Sequence, residues 1–247
     1  MGLFNFFKSS DKRILEDLSA VGTDIHSHLI PGIDDGSKSI EESLKLVNEL
    51  CELGYKKIIT TPHIMTDYYR NTPEIILSGL EKLKKEIEEL KIPIEIEAAA
   101  EYYLDHAFIQ KIEEGKLLTL GDNFVLFELS YLSPPQSIET VIFNLQTNGY
   151  KTILAHPERY TYWNNNFEAY EKLKDRDVFF QLNINSLSGE YSPMTQKTAE
   201  KLIQNNMIDF VGTDCHGIRH IERLRKALEN KHLIQLIESG KLLNNKM

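Results

Sequence analysis

Cysteine is nearly missing from these 247 residues: two occur, Cys51 inside a helical pattern and Cys215 in an Asp-Cys-His run. So low a count excludes a disulfide framework and fits a reducing compartment. No run of 18 apolar residues occurs, so no membrane-spanning helix is expected. The apolar start, Met1 to Phe7, is too short for the core of a secretion signal, and Phe6 stands where N-myristoylation would need Ser or Thr. Leu3, Phe4, Phe6 and Phe7 are instead expected to pack on the domain or on a partner subunit, and a cytoplasmic location is expected. Basic blocks are also absent. With 28 Lys and Arg against 37 Asp and Glu, the net charge of −9 gives nucleic-acid binding little electrostatic support. There is no internal repeat, low-complexity segment or linker.

What is present suits a folded α/β protein. Hydrophobic residues make up 41% and charged residues 26%, and a chain of this length matches one barrel of roughly 250 residues. From Gly22 onward, short apolar runs alternate with amphipathic stretches, the signature of consecutive βα units, and seven can be counted. Ser39 with Glu42 forms a capping box ahead of a stripe of Ile40, Leu44, Val47, Leu50 and Cys51 that stops at Gly54. Lys57 to Thr61 reads as strand two, Thr72-Pro73 opens a helix to about Leu90, and Ile94 to Ala100 reads as strand three. Phe124 to Leu129, Thr152 to Ala155, Val178 to Asn183 and Ile208 to Gly212 complete the strands. Helices are expected from Pro135 to Gly149, from Ser192-Pro193 to about Asn206, and as a pair broken near Asn230.

The strand ends carry an unusual set of side chains. His26 and His28 follow strand one, His63 follows two, Glu101 ends three, Glu128 closes four, His156 follows five, and Asp214 and His216 follow seven. In a parallel barrel such ends share one rim, so residues distant in sequence converge on one site. His-x-His on an extended segment points both imidazoles to one side. Five of the eight histidines sit at these ends, while His106, His220 and His232 do not. Mixed imidazole and carboxylate donors suit Zn, Mn or Fe better than Ca. One cation cannot use eight ligands, whereas two or three metals roughly 3.5–4 Å apart could, the usual arrangement for phosphoester hydrolysis.

These runs, Asp24-Ile25-His26-Ser27-His28 with Pro31-Gly32-Ile33-Asp34-Asp35-Gly36, Thr61-Pro62-His63, Ala100-Glu101-Tyr102-Tyr103, His156-Pro157-Glu158-Arg159 and Gly212-Thr213-Asp214-Cys215-His216, resemble the polymerase and histidinol phosphatase (PHP) superfamily. Within it the chain is similar to the bacterial manganese-dependent protein-tyrosine phosphatases of capsule and exopolysaccharide operons, the CpsB/YwqE type. The resemblance runs from about Gly22 to about Arg225. It implies a distorted seven-stranded β/α (TIM-like) barrel, a single domain over 1–247 with residues 1–20 as an N-terminal extension, and a trinuclear site. By that likeness His26, His28, Glu101 and Asp214 would hold one Mn2+, Glu101, Glu128 and His156 a second, and Asp35, His63 and His216 a third. Fe or Zn would also suit, and Asp34 could replace Asp35.

The likeness further implies that Arg159 binds a phosphoryl group, for which its planar fork is suited; the alternative is a surface arginine paired with Glu158. A second phosphate-binding arginine would be Arg219 or Arg223. Tyr102, Tyr103 and Tyr160 could line the mouth or simply pack. Water activated by the metals would attack phosphorus in line, with no phosphoenzyme. Thiol-based tyrosine phosphatases need Cys and Arg six positions apart, and here Lys57 and Ile221 stand at that distance from the two cysteines. The implied substrate is the phosphorylated tyrosine-rich tail of a bacterial tyrosine kinase that governs polysaccharide export. Rival readings are a histidinol-phosphate or other small phosphomonoester phosphatase, a metal-dependent exonuclease, which the acidic charge disfavours, and a non-catalytic metal-bound scaffold.

Overall fold

A computed structural model of the chain describes residues 13–247. The expected packing of Leu3, Phe4, Phe6 and Phe7 lies outside them. The described part of the N-terminal extension is docked: Leu15 N–H donates to Leu228 O at 3.1 Å, and Leu18 is fully buried with its N–H on Leu53 O at 2.7 Å.

Strands and helices alternate along the chain. The order is β1 (Thr23–Asp24), α1 (Ile40–Glu52), β2 (Lys57–Thr60), β3 (His63–Ile64), α2 (Pro73–Glu89), β4 (Glu95–Ala98), β5 (Glu101–Tyr103) and α3 (His106–Glu114). There follow β6 (Phe124–Glu128), α4 (Ile138–Thr147), β7 (Lys151–Ala155), α5 (Glu168–Lys174), β8 (Phe179–Asn183), α6 (Pro193–Gln204), β9 (Phe210–Gly212), α7 (Ile218–Ala227) and α8 (Lys231–Glu238). The strands form two sheets, β1-β2-β4 and β3-β5-β6-β7-β8-β9, and every pairing within them is parallel.

Two expected strands are interrupted, so nine segments stand where seven were read. Lys57 to Thr61 continues past Pro62 as β3, and the run ending at Ala100 resumes as β5. The cause begins at Pro62, which lacks the N–H a ladder needs. The two breaks face each other: Ala99 N–H donates to Thr60 O at 2.9 Å and Glu101 N–H to Pro62 O at 3.2 Å. His63 and Glu101 therefore begin strands rather than end them, and they are register partners.

Helix starts follow their sequence signals. Ser39 accepts from Glu42 N–H, Thr72 from Ile75 N–H with Pro73 next, and Ser192 from Thr195 N–H with Pro193 next. The capping box at Ser39 is offset, since the Glu42 carboxylate reaches back to Lys38 N–H at 2.8 Å. Asn230 separates α7 from α8 by capping the latter through His232 and Leu233 N–H. Helices α3 and α5 were not expected. Asp105 caps α3 by accepting from Phe108 N–H at 2.8 Å, and Gly115 at φ 68° ends it.

The apolar interior has two parts. The larger fills the space between strands and helices, with Val47, Leu50, Ile76, Leu83, Val141, Leu145 and Leu224 supplied by helical stripes. The smaller gathers Ile25, Ile59, Ala99, Leu126, Ile153 and Phe210, which come from strands and strand ends of both sheets. Beyond it the chain segments after β1 and β9 lie side by side: Asp214 N–H donates to His26 O at 2.7 Å and His28 N–H to Cys215 O at 2.9 Å. No helix among the described residues is long and apolar enough to cross a membrane.

Candidate metal centre

The segments that follow β1 and β9, the starts of β3 and β5, and the ends of β6 and β7 deliver polar side chains to one place. His26 Nε2 lies 3.4 Å from His28 Nε2, 3.2 Å from Glu101 Oε2 and 3.4 Å from Asp214 Oδ1. Glu101 Oε2 is also 3.1 Å from His63 Nδ1, while its Oε1 is 3.1 Å from His156 Nε2. Glu128 Oε1 stands 3.3 Å from His63 Nδ1. Asp35 Oδ1 is 3.5 Å from Nε2 of both His63 and His216.

Four overlapping groups of donor atoms, each within 4.8 Å, could hold cations: His28, Asp35, His63 and His216; His26, His28 and Asp214; His26, Glu101 and His156; His63, Glu101 and Glu128. Together they contain every one of the metal ligands expected from sequence. His63 and His28 join groups that the likeness had kept apart. Asp34 belongs to none of them. Its Oδ2 lies 2.8 Å from His28 Nδ1, so Asp34 holds that imidazole from behind, and Asp35 is the one of the pair whose carboxylate stands among the candidate donors.

Several observations fit cations at these positions. Glu101 Oε2 and His63 Nδ1 are buried without a hydrogen bond, a costly state for polar atoms unless an ion completes them. The paired Nε2 atoms of His26 and His28 turn to the same space. Their other ring nitrogens are engaged: His26 Nδ1 with Gln181 Oε1 at 2.7 Å, His28 with Asp34, and His216 Nδ1 with Asp214 O at 2.9 Å. Anchoring of the far nitrogen is how proteins fix the tautomer and orientation of a ligating imidazole.

The electrostatics point the same way. Burial pulls the His26 imidazole down, but the Glu101 and Asp214 carboxylates outweigh it and push it up to about 9. Burial, joined by the Glu101 charge, pushes Glu128 up to about 8. Burial opposes ionisation of Glu101 too, yet His26 and His63 hold it well below the usual carboxylate range. Without cations, protons share the task of balancing four clustered carboxylates; metal ions would displace them.

The backbone is bent to make this possible. His156 and Asp214 have φ of 34° and 48°, a left-handed region that non-glycine residues occupy at a cost; Lys91, Asn123, Asp177 and Asn206 adopt it too, but these two do so at the cluster itself. Gly36 allows the Asp34–Asp35 loop to close on His28, since a Cβ there would sit 2.2 Å from His28 O.

An open cavity of about 630 Å³ covers the cluster, lined also by Met65, Tyr68, Tyr69, Tyr131, Arg159 and His220. Arg159 Nη1 donates to Asp214 Oδ2 at 2.7 Å, and its guanidinium lies 5.0 and 4.7 Å from the rings of Tyr131 and Tyr191. It does not pair with Glu158, which is buried and accepts from Asn183 N–H and Ser186 Oγ. Arg219 is exposed and does not line the cavity, whereas Arg223 stacks on Tyr191 at 5.2 Å and is held by Glu190 at 3.0 Å. Of the three tyrosines considered for the mouth, Tyr103 lines it. Tyr102 and Tyr160 are buried packing residues whose hydroxyls accept from Leu118 N–H and Leu129 N–H.

Sequence reasoning missed Gln181, Asn183, Tyr131, Tyr191 and His220. Asn183 Nδ2 donates to Asp214 Oδ2 at 2.7 Å, sharing that oxygen with Arg159. The one signal that could have found Gln181 and Asn183 is a pair of amides facing one way in an otherwise apolar strand, a pattern that also suits ordinary core polar groups.

Comparison with known proteins agrees with this geometry. The chain is 27% identical over 197 residues to the tyrosine-protein phosphatase YwqE of Bacillus subtilis, covering 79% of this chain and 78% of that one. Its fold matches a crystal structure from the pair YwqE of Bacillus subtilis and CpsB of Streptococcus pneumoniae, two metal-dependent tyrosine phosphatases. The TM-score is 0.79 at 26% identity, over 91% of this chain and 95% of that one. A histidinol phosphate phosphatase from Lactococcus lactis shares the fold more loosely, with a TM-score of 0.54 at 17% identity over 90% of this chain and 94% of that one. Residues 22–240 match the family described as capsular polysaccharide synthesis, CpsB/CapC, and to that family the chain belongs.

Proposed function

We propose that this chain is a metal-dependent protein-tyrosine phosphatase, a phosphoric monoester hydrolase. The observation that carries the reading is the convergence of nine His, Asp and Glu residues in one cluster, seven of them lining a single open cavity together with Arg159, with the buried His26 and His28 behind them. Relatives of the same family are named tyrosine phosphatases, and the histidinol phosphatase likeness is a fold likeness. We assign His26, His28, Glu101 and Asp214 to one metal, Glu101, Glu128 and His156 to a second, and Asp35, His63 and His216 to a third. Mn2+ is the proposed ion, with Fe or Zn as alternatives that the same donors accept. When bound, such ions supply Lewis acidity toward a phosphoryl oxygen and lower the pKa of water toward neutrality.

The protein's own contribution is orientation and charge. Arg159 is pinned by Asp214 through one nitrogen and flanked by two phenol rings, and its remaining donors have no hydrogen-bond partner among the described residues. Held flat in this way, it neutralises charge that develops on the equatorial oxygens during in-line displacement. Tyr68, Tyr69, Tyr103, Tyr131 and Leu132 surround the approach with apolar surface that an aryl ring can contact.

The family's description supports a physiological substrate in capsule synthesis, which we take to be the phosphorylated tyrosine-rich tail of a bacterial tyrosine kinase, with the phosphatase itself cytoplasmic. We also read the chain as one domain over 1–247, with residues 1–20 as an N-terminal extension, forming a distorted seven-stranded barrel. Hydrogen bonds between the segments after β1 and β9, and one apolar cluster shared by both sheets, support that reading. The deciding experiment assays Mn-loaded protein on a phosphotyrosyl peptide, p-nitrophenyl phosphate and histidinol phosphate. Turnover of the peptide is expected; faster turnover of histidinol phosphate, or none of the three, overturns the assignment.

A further inference from the structure

Four histidines line the cavity, and His220 is the one outside every metal-binding group among the described residues. It stands in the first turn of α7, where its N–H bonds Gly217 O at 2.9 Å. The backbone N–H of His216 donates to its Nδ1 at 3.3 Å. A ring nitrogen that accepts must carry a lone pair, so the proton of this imidazole resides on Nε2. The same bond disqualifies His220 as a metal ligand through Nε2 and leaves that atom a hydrogen-bond donor. Nothing in the described structure consumes the donor.

We propose that His220 is a substrate-binding residue whose Nε2–H donates to a phosphoryl oxygen of the bound ester, beside Arg159. The neighbouring side chains leave it this role. Arg219 on the same turn is exposed and does not line the cavity, and Arg223 one turn later is already engaged by Glu190 and by the Tyr191 ring. A phosphoryl group presents several acceptor oxygens, and Arg159 has one nitrogen committed to Asp214. A neutral imidazole adds a directed donor without another positive charge beside a cluster built to hold cations. The ligand class follows from the phosphatase reading above; the donor geometry does not depend on it.

The test uses full-length, metal-loaded protein, with metal content checked for each variant. Binding of inorganic phosphate is measured by calorimetry, and turnover of a phosphotyrosyl peptide is measured in parallel. Four forms are compared: wild type, His220→Ala, His220→Asn and His220→Gln. Glutamine offers an amide N–H where Nε2 stands, whereas asparagine replaces the Nδ1 acceptor and lacks the reach. Loss of one charge-assisted hydrogen bond should weaken phosphate binding and lower kcat/KM about tenfold or more in the Ala and Asn variants. The Gln variant should stay within about threefold of wild type on the same argument.

The reverse order, Asn near wild type and Gln as impaired as Ala, would make His220 a mere support for His216 and overturn the proposal. So would unchanged phosphate affinity in His220→Ala, or a wild type that binds no phosphate. A wild type that binds phosphate but never hydrolyses the peptide refutes the phosphatase reading alone, and the order of the four phosphate affinities still decides the role of His220.

Discussion

Asp34 and His28 form a carboxylate–imidazole pair at 2.8 Å, both side chains fully buried. The carboxylate does more than face the ring: Oδ1 accepts from Gly36 N–H at 2.9 Å and Oδ2 from His63 N–H at 3.2 Å. It thus ties two imidazoles of the centre to one loop. Asp34→Asn keeps the size and loses the charge, and such outer partners typically change metal affinity about 10–100-fold. We expect Mn2+ affinity to fall in that range with the fold retained, as read by calorimetric titration and circular dichroism. Unchanged affinity would mean that His28 is oriented without Asp34.

Gly36 is expected to tolerate no side chain. A Cβ would stand 2.2 Å from His28 O and 2.5 Å from its Cβ, a backbone atom and one fixed to the backbone, neither of which can swing aside. Gly36→Ala should cost about 1–3 kcal/mol, the usual range for overpacking, and release metal. Thermal melts with and without chelator check this; a melt identical to wild type in both would refute it.

Metal loading is expected to expel protons. His26, pushed up to about 9, and Glu128, pushed up to about 8, both hold protons near neutrality in metal-free protein. A ligand must give up its proton to bind a cation, so affinity should fall as pH drops from about 9 toward 6. Calorimetric heats that vary with the ionisation enthalpy of the buffer would reveal the release. Chelator treatment should lower Tm, because an ion bound only by the folded state stabilises it. Buffer-independent heats would count against protonated ligands in the apo centre.

Glu158 provides a separate pH signature. Burial pushes it up to about 7 in the folded chain, from an ordinary value near 4.5. A carboxyl raised on folding leaves stability intact below its unfolded value and removes it as pH climbs through the folded one. Glu158→Gln keeps an acceptor for Asn183 N–H and Ser186 Oγ while deleting the charge. In metal-free protein the variant should gain on wild type between pH 5 and 8, by on the order of 3 kcal/mol. Urea melts at both pH values test it, and a pH-independent difference would sink it.

Arg159 should matter to turnover more than to folding. Its side chain is about one-quarter exposed and its fixed bond is to Asp214. Removal of one preorganised donor to transition-state charge typically costs about 10²–10³ in kcat. Arg159→Ala is expected to fall in that range with the far-UV spectrum unchanged. Arg159→Lys should recover little, because an ammonium cannot bridge Asp214 and a phosphoryl group in one plane. Full activity in either variant would remove the arginine from the mechanism.

The sequence disclosed the candidate donors more fully than the scaffold. His26, His28, His63, Glu101, Glu128, His156, Asp214 and His216 were legible because metal-binding side chains recur where apolar runs stop, and a parallel sheet brings such ends together. The choice between Asp34 and Asp35 was not legible. It depends on the close approach of Gly36 to His28, a three-dimensional packing constraint with no periodic trace. Gln181 and Asn183 escaped notice because amides in a buried strand carry no charge signal, although they fix His26 and Asp214. Strand two was read as ending at Thr61 and strand three as running to Ala100, so the resumptions β3 and β5 escaped notice: 2 and 3 residues long, they leave no alternation to read. Helices α3 and α5 are 9 and 7 residues long, too short for a 3.6-residue period to stand out. Arg219 was named because the family likeness implies an arginine after Asp214-Cys215-His216; it is exposed and does not line the cavity.

Asp24 near one end of the described chain accepts from Thr213 N–H at 3.0 Å and Oγ1 at 2.8 Å, and Asn244 binds Thr23 O and both backbone groups of Val211. A nascent chain therefore carries His26 and His28 out of the ribosome long before the segment bearing Asp214 and His216 exists. The earliest-made of the proposed ligands must wait, solvated and incomplete, for the last-made ones. Ion capture belongs to the closing stage of maturation, so a nascent chain arrested before residue 214 should bind manganese far more weakly than the released protein.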